Sequence, residues 1–235
     1  MRVAIMQPYF LPYIGYFQLI GAVDTFVVYD NIKYTKKGWI NRNRMLKNGS
    51  DLLFSLPLAH ASDSCFVSQR ALSPHIDKQK LLNQIREAYR RAPHFEQAFE
   101  LIRTIIDFED ANLFNYIMHS IRCVCAYLNL TTSVIVSSSL DIDHSLKSQE
   151  KVIAICTALG AKQYINPEGG VELYSQERFE NAGIDLKFLR ANPVAYPQFG
   201  SDFVPFLSIL DLLMFQNALQ IRAKIQNEYQ LFSGH

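Results

Sequence analysis

Residues Arg2–Tyr29 read RVAIMQPYFLPYIGYFQLIGAVDTFVVY, and this stretch decides the fold. Arg2–Gln7 reads as a short buried strand and Thr25–Tyr29 as a second, with Gly15–Ala22 of helical length between them. Strand, loop, helix and strand within thirty residues make a βαβ unit, which implies parallel neighbours and a right-handed crossover. Downstream, Leu52–Leu56 reads as a third strand stopped by Pro57. Apolar residues at helical spacing then mark Asp77–Arg91, His94–Phe108 and Ala111–Leu130, separated by Pro93 and by Asp110-Ala111-Asn112. Strand and helix alternate again from Ser133–Val136 through Ser148–Leu159, Gln163–Ile165, Gln176–Asn181 and Asp185–Leu189, and Leu207–Leu219 reads as one closing helix. The expectation is a single α/β domain over 1–235. Its sheet is mostly parallel with helices on both faces, Rossmann-like, and residues 75–130 form a helical insertion or lid. Ala59–Ser64 is the best candidate for a mobile loop.

Bulk properties narrow the function classes. The 235 residues are 49% hydrophobic, enough for one sizeable interior. A formal charge of +1 gives no overall reason to expect nucleic-acid or anionic-membrane binding. The run before Gln7-Pro8 is too short for a secretory signal, and no apolar stretch approaches the ~18–20 residues of a spanning helix. Cys65, Cys123, Cys125 and Cys156 are sparse and irregular, which suits reduced thiols in a cytoplasmic protein with no metal site.

Two clusters carry chemistry. The loop after the first strand is Gln7-Pro8-Tyr9-Phe10-Leu11-Pro12-Tyr13-Ile14-Gly15-Tyr16. In an open parallel sheet such a loop lies at a carboxyl edge, where ligands bind. Pro8 and Pro12 stiffen it, Gly15 would let a ligand approach a helix start, and Tyr9, Tyr13 and Tyr16 offer rings and hydroxyls. The spacing is similar to the H-x-G-H loop of nucleotidylyltransferases. Tyrosines replace both histidines, however, so phosphate charge must be met elsewhere. The second cluster is Asp30-Asn31-Ile32-Lys33-Tyr34-Thr35-Lys36-Lys37-Gly38-Trp39-Ile40-Asn41-Arg42-Asn43-Arg44, with five basic residues in twelve positions. Lys33, Lys37, Arg42 and Arg44 suit phosphates, Tyr34 and Trp39 suit a ring, and Asn41 and Asn43 suit hydroxyls or amides.

These stretches resemble the WbqC-like protein family: IMQPYF with PY and GYF behind it, then DTFVVYD, then KKGWINRNR. The likeness returns at Leu159-Gly160-Ala161, Tyr164–Gly170, Leu173-Tyr174, Tyr196–Phe199 and Leu207–Asp211. The resemblance implies a bacterial protein of O-antigen or related surface-polysaccharide assembly, acting on an activated sugar. The specific version drawn from that context is N-acyl or aminoacyl transfer onto a nucleotide-linked amino sugar. Its donor stays open among an ATP-activated acid, a thioester and an aminoacyl-tRNA, the last being the one nucleic acid expected as a partner.

Further signals lie near the C-terminus. Gly169 and Gly170 follow Pro167 in a turn that permits positive φ or close approach, and Tyr174 follows it. Tyr196 and Gln198 are placed at the same cleft. Asp211, in an otherwise apolar helix, needs a partner such as Arg42 or Arg44. Asp141-Ile142-Asp143 matches a D-x-D that occurs constantly by chance. Ser137–Ser139 with Lys147-Ser148 compares with a second phosphate motif, although a serine capping the next helix explains Ser148 as well.

In the leading reading Asp30 is the general base, Gln7 and Asn41 orient the amide, the four cations hold phosphates, and Tyr9, Tyr13 and Trp39 flank a ring. ATP-dependent adenylyl or nucleotidylyl transfer is the alternative, and a non-catalytic binding subunit the third reading.

Overall fold

The structure, a computed structural model, describes residues 1–62, 64–200 and 202–234. The chain opens with β1 (Arg2–Met6), α1 (Ile14–Gly21) and β2 (Thr25–Val28), the crossover expected from the first thirty residues. An antiparallel hairpin follows, β3 (Arg42–Lys47) and β4 (Ser50–Ser55), and then the helices α2 (Lys78–Tyr89), α3 (Phe95–Ile106) and α4 (Leu113–Tyr127). The second half runs β5 (Ser133–Val136), α5 (Ser148–Ala158), β6 (Gln163–Pro167), α6 (Gln176–Asn181), β7 (Asp185–Ala191), α7 (Ile209–Phe215), α8 (Ala218–Asn227) and β8 (Tyr229–Phe232).

Six strands form one sheet in the order β5-β2-β1-β6-β7-β8, parallel except for β8 at the edge. Numbered by their own sequence, the five parallel strands stand 3-2-1-4-5. The chain builds outward from β1 on one side, then returns to build outward on the other. This is a Rossmann-like sheet, and its switch point lies between β1 and β6.

Alternation along the strands divides the interior into two layers. Ala4, Phe26, Val28, Ile165 and Leu189 face a large core shared with α1 and with the helices of residues 78–127. Val3, Ile5, Val27, Tyr164, Leu186 and Phe188 face a smaller core under α5 and α6. Ile85, Ile102 and Ile117 of α2, α3 and α4 are buried in the same cluster as Phe17 of α1, so this block is part of the main core.

Three expectations are corrected. Leu52–Leu56 is not a strand of the main sheet; β4 pairs only with β3, through the turn Asn48-Gly49, whose φ angles of 51 and 77 are those of a tight hairpin. Leu207–Leu219 is not one helix. Asn217 accepts from Gln220 N while Gln220 Oε1 accepts from Asn217 N, a capping box that starts α8 and separates it from α7. No serine caps α5: its N-cap is Lys147, without a side-chain cap, and Ser148 stands at φ 48. Of the loop Ala59–Ser64, Asp63 lies outside the described residues, and Arg70 Nη1 donates to Ala61 O and Ser62 O.

Candidate functional site

The carboxyl ends of β1 and β6 open into a cleft with two joined halves that share Met6, Tyr9, Pro167 and Gly169. A polar half of about 1020 Å³ lies over the loops after β2 and β6 and the start of α5. An aromatic half of about 680 Å³ lies between the Pro12–Tyr16 turn, Trp39 and residues 192–195 and 203–206. The cleft therefore sits at the switch point, where the geometry of a doubly wound sheet leaves a crevice.

The polar half is lined by Lys33, Lys147, Lys151 and His144, with no aspartate or glutamate among the described residues that line it. Lys151 is the most enclosed of the cations, at 7% exposure. Its Nζ donates to Asn31 Oδ1 at 2.9 Å and lies 5.4 Å from the centre of the Tyr29 ring. Burial pulls its pKa below the ordinary lysine value, and the charge of Asp30 opposes that shift. Because Asn31 Oδ1 takes the ammonium, its Nδ2 is the donor toward His144 Nδ1 at 3.1 Å. His144 Nε2 then carries the proton and donates to Leu140 O at 3.1 Å. Behind this network Asp30 Oδ1 accepts from Ser137 Oγ at 2.8 Å and from Ser138 N at 3.0 Å. Asp143 accepts from both the N and Oγ of Ser145, which also lines the polar half.

Close packing shapes the floor. A Cβ on Gly170 would stand 1.9 Å from Asn166 Nδ2, whose amide accepts from Tyr164 OH at 3.0 Å. Gly170→Ala is expected to push that amide into the cleft, lowering stability by about 1 kcal/mol as overpacking does. Urea unfolding of the two proteins measures the loss.

The family model for WbqC-like proteins matches residues 7–223. The chain belongs to the WbqC-like family. The WbqC-like match takes in every residue that lines the cleft except Ile5 and Met6. An uncharacterized protein of Mycobacterium tuberculosis is 26% identical over 215 residues, 90% of this chain and 92% of that one. No helix among the described residues of this WbqC-like chain is long and apolar enough to cross a membrane.

The structure gathers many of the residues marked in the sequence. Gln7, Tyr9, Lys33, Gly169, Gly170 and Tyr174 line the polar half, and Tyr13, Gly15, Tyr16, Trp39, Asn43 and Arg44 the aromatic half. Pro8, Asp30, Tyr34, Lys37, Asn41, Arg42, Tyr196, Gln198 and Asp211 line neither. The reasons are specific. Asp30 is buried behind Ser137 and Ser138, out of reach as a base. Arg42 donates from Nε to Gly38 O at 2.7 Å and from Nη2 to Lys36 O, closing its own loop. Asn41 accepts from Tyr34 OH at 2.8 Å and donates to Leu56 O at 2.7 Å. Asn43 reaches the cleft wall, but its Nδ2 donates to Leu11 O at 2.8 Å. Asp211 has no arginine: Tyr89 OH, Tyr196 OH and Gln198 Nε2 donate to it at 2.7, 2.7 and 2.8 Å. Gly15 does not bare the helix start, because a Cβ there would meet the ring of Tyr13 at 2.3 Å. Gly169 and Gly170 lie outside the left-handed region, so Gly170 is required by close approach and not by φ.

Lys151, Asn31 and His144 went unmarked as site residues. One signal pointed to Lys151: it stands on the buried side of α5 with Val152, Ile155 and Cys156, a lysine on an apolar stripe.

Proposed function

We propose that the protein is a transferase that modifies a nucleotide-linked amino sugar by N-acyl or aminoacyl transfer in bacterial surface-polysaccharide assembly. The observation that carries this reading is the polar half of the cleft at the switch point of a Rossmann-like sheet, whose lining among the described residues holds three lysines, a histidine and no carboxylate. Such a concave, one-signed lining favours a dianionic ligand such as a diphosphate. Lys33, Lys147 and Lys151 take its charge, and the first N–H groups of α5 add to it. Ser148, at positive φ in the same wall, is a strained residue of the kind held at ligand sites.

The amino-sugar nitrogen attacks the donor's acyl carbon, a C–N bond forms as the bond to the leaving group breaks, and the amine proton leaves with that group. Gln7 and Tyr9, at the end of β1, orient the reactants. Asp30 acts through Ser137 and Asn31, holding the network that aims Lys151. Incubation with UDP-linked amino sugars and acyl thioesters, followed by mass spectrometry, is expected to show a mass gain of one acyl group. No gain across acetyl, hydroxyacyl and glycyl donors, with no binding of UDP, overturns the reading.

The second reading is ATP-dependent nucleotidylyl transfer, favoured by the 3-2-1-4-5 strand order and by Lys147 and Ser148 lining the cleft at the start of α5. It requires pyrophosphate release from ATP and Mg²⁺, which a coupled assay detects directly.

A further inference from the structure

We infer that the aromatic half of the cleft is a subsite for an apolar acyl chain of several carbons, carried by the donor; the identity of the co-substrate rests on the reading of the polar half given above. The aromatic half is about 680 Å³, far more room than a two-carbon acyl or a glycyl group fills. Its walls present exposed rings: Tyr13 at 40%, Trp39 at 43% and Phe206 at 72%. Pro12, Pro167, Pro193 and Pro205 give it rigid apolar surface. Apolar surface held concave and wet is stabilised by an apolar occupant, roughly in proportion to the area covered.

Each charged group among the described residues of the wall has an ion-pair partner, although Arg44 Nε is buried without a hydrogen bond. Arg44 Nη1 lies 3.4 Å from Asp51 Oδ2, with its guanidinium 5.2 Å from the centre of the Trp39 ring. Glu168 Oε1 accepts from Arg190 Nε at 2.7 Å, so an arginine already offsets the charge of this carboxylate. A nucleobase would need donors and acceptors along its edge. The Asn43 amide is bonded internally, and among the described residues Asn192 is the wall amide left without a side-chain partner. An alkyl chain asks for none. The two halves meet at Met6, Tyr9, Pro167 and Gly169, so a chain in the aromatic half brings its carbonyl end to the junction with the polar half.

Trp39 is the single tryptophan of the chain, so emission excited on the red edge, where tyrosine does not absorb, reports this subsite. The intact protein is titrated with acetyl and octanoyl thioesters of N-acetylcysteamine, and in parallel with UDP by calorimetry. The octanoyl thioester is expected to shift Trp39 emission and to bind at least tenfold more tightly than the acetyl one. Ala195→Phe, which fills the pocket from an exposed position, should erase that preference, with UDP binding as the control for an intact fold. Equal affinity for both thioesters while UDP binds overturns the subsite. A response to uridine with none to either thioester also overturns it, in favour of a base pocket. Octanoyl binding without UDP binding upholds the subsite and overturns the nucleotide reading of the polar half.

Discussion

Lys151→Met is expected to weaken UDP binding by about tenfold to 150-fold, the range that follows from losing ~1.5–3 kcal/mol of hydrogen bonding to a charged group. The side chain is nearly enclosed, its direction is fixed by Asn31 Oδ1, and methionine keeps most of its volume while removing the charge. Calorimetry at constant ionic strength measures the loss. Lys33→Met, at an exposed position, should cost much less, because solvent screens it. The pH profile gives a second signature. Only the ammonium form attracts the anion, so affinity falls as pH rises through the pKa of Lys151. Burial sets that value below the ordinary 10.5, so the decline should begin at lower pH than for an exposed lysine. Lys151→Met should lose this part of the profile. An unchanged affinity in the variant would remove Lys151 from the site.

The second large effect concerns folding. Asp211→Ala is expected to lower stability by about 3 kcal/mol, since three hydrogen-bond donors lose their shared acceptor inside the protein. Tyr89 also accepts from Leu46 N at 2.7 Å, so the loss reaches the β3–β4 hairpin. Tyr196 packs on Phe203 at 5.1 Å between ring centroids, so the segment walling the aromatic half loosens with it. Asp211→Asn, which keeps an acceptor oxygen, should cost less. The sign of the pH effect is opposite to that of a salt-bridged acid. Burial raises the Asp211 pKa above 3.8, with its three donors opposing the shift, so the folded state keeps the proton to higher pH than the unfolded chain. This contribution is fully present below the ordinary carboxylate range and is lost as pH rises through the raised value. Urea unfolding across pH 3–7 should show that slope in the native protein and not in Asp211→Asn.

The sheet was legible because β1 and β2 are short, mostly apolar runs separated by one helix length, a pattern with few alternatives. Position along a carboxyl edge was equally readable, since Gln7 and Gly169 each follow a strand of the parallel set. What sequence did not yield was side-chain direction. Arg42 and Lys33 look alike in a basic run, yet one turns back on the carbonyls of its own loop and the other faces the cleft. Asp30 read as a general base and Asp211 as an acid in search of a cation, and both are instead satisfied by neutral donors, Asp30 by Ser137 and Ser138 and Asp211 by Tyr89, Tyr196 and Gln198. The hairpin was overlooked although Asn48-Gly49 signals a tight turn. Strand β8 was also missed: four residues at an edge leave too short a pattern.

The N-terminal loop is anchored by residues almost the whole chain away. Ser208 Oγ donates to Leu11 O at 2.6 Å, Ser208 N to Arg44 O at 2.8 Å, and Ile209 N to Pro12 O at 2.9 Å. On the ribosome, this loop emerges long before Ser208 and Ile209 and must wait for them before it acquires its native shape. Contacts of such long separation close late and slowly. A chain ending near residue 200 would hold five of the six strands of the sheet and still lack the groups that pin Leu11 and Pro12.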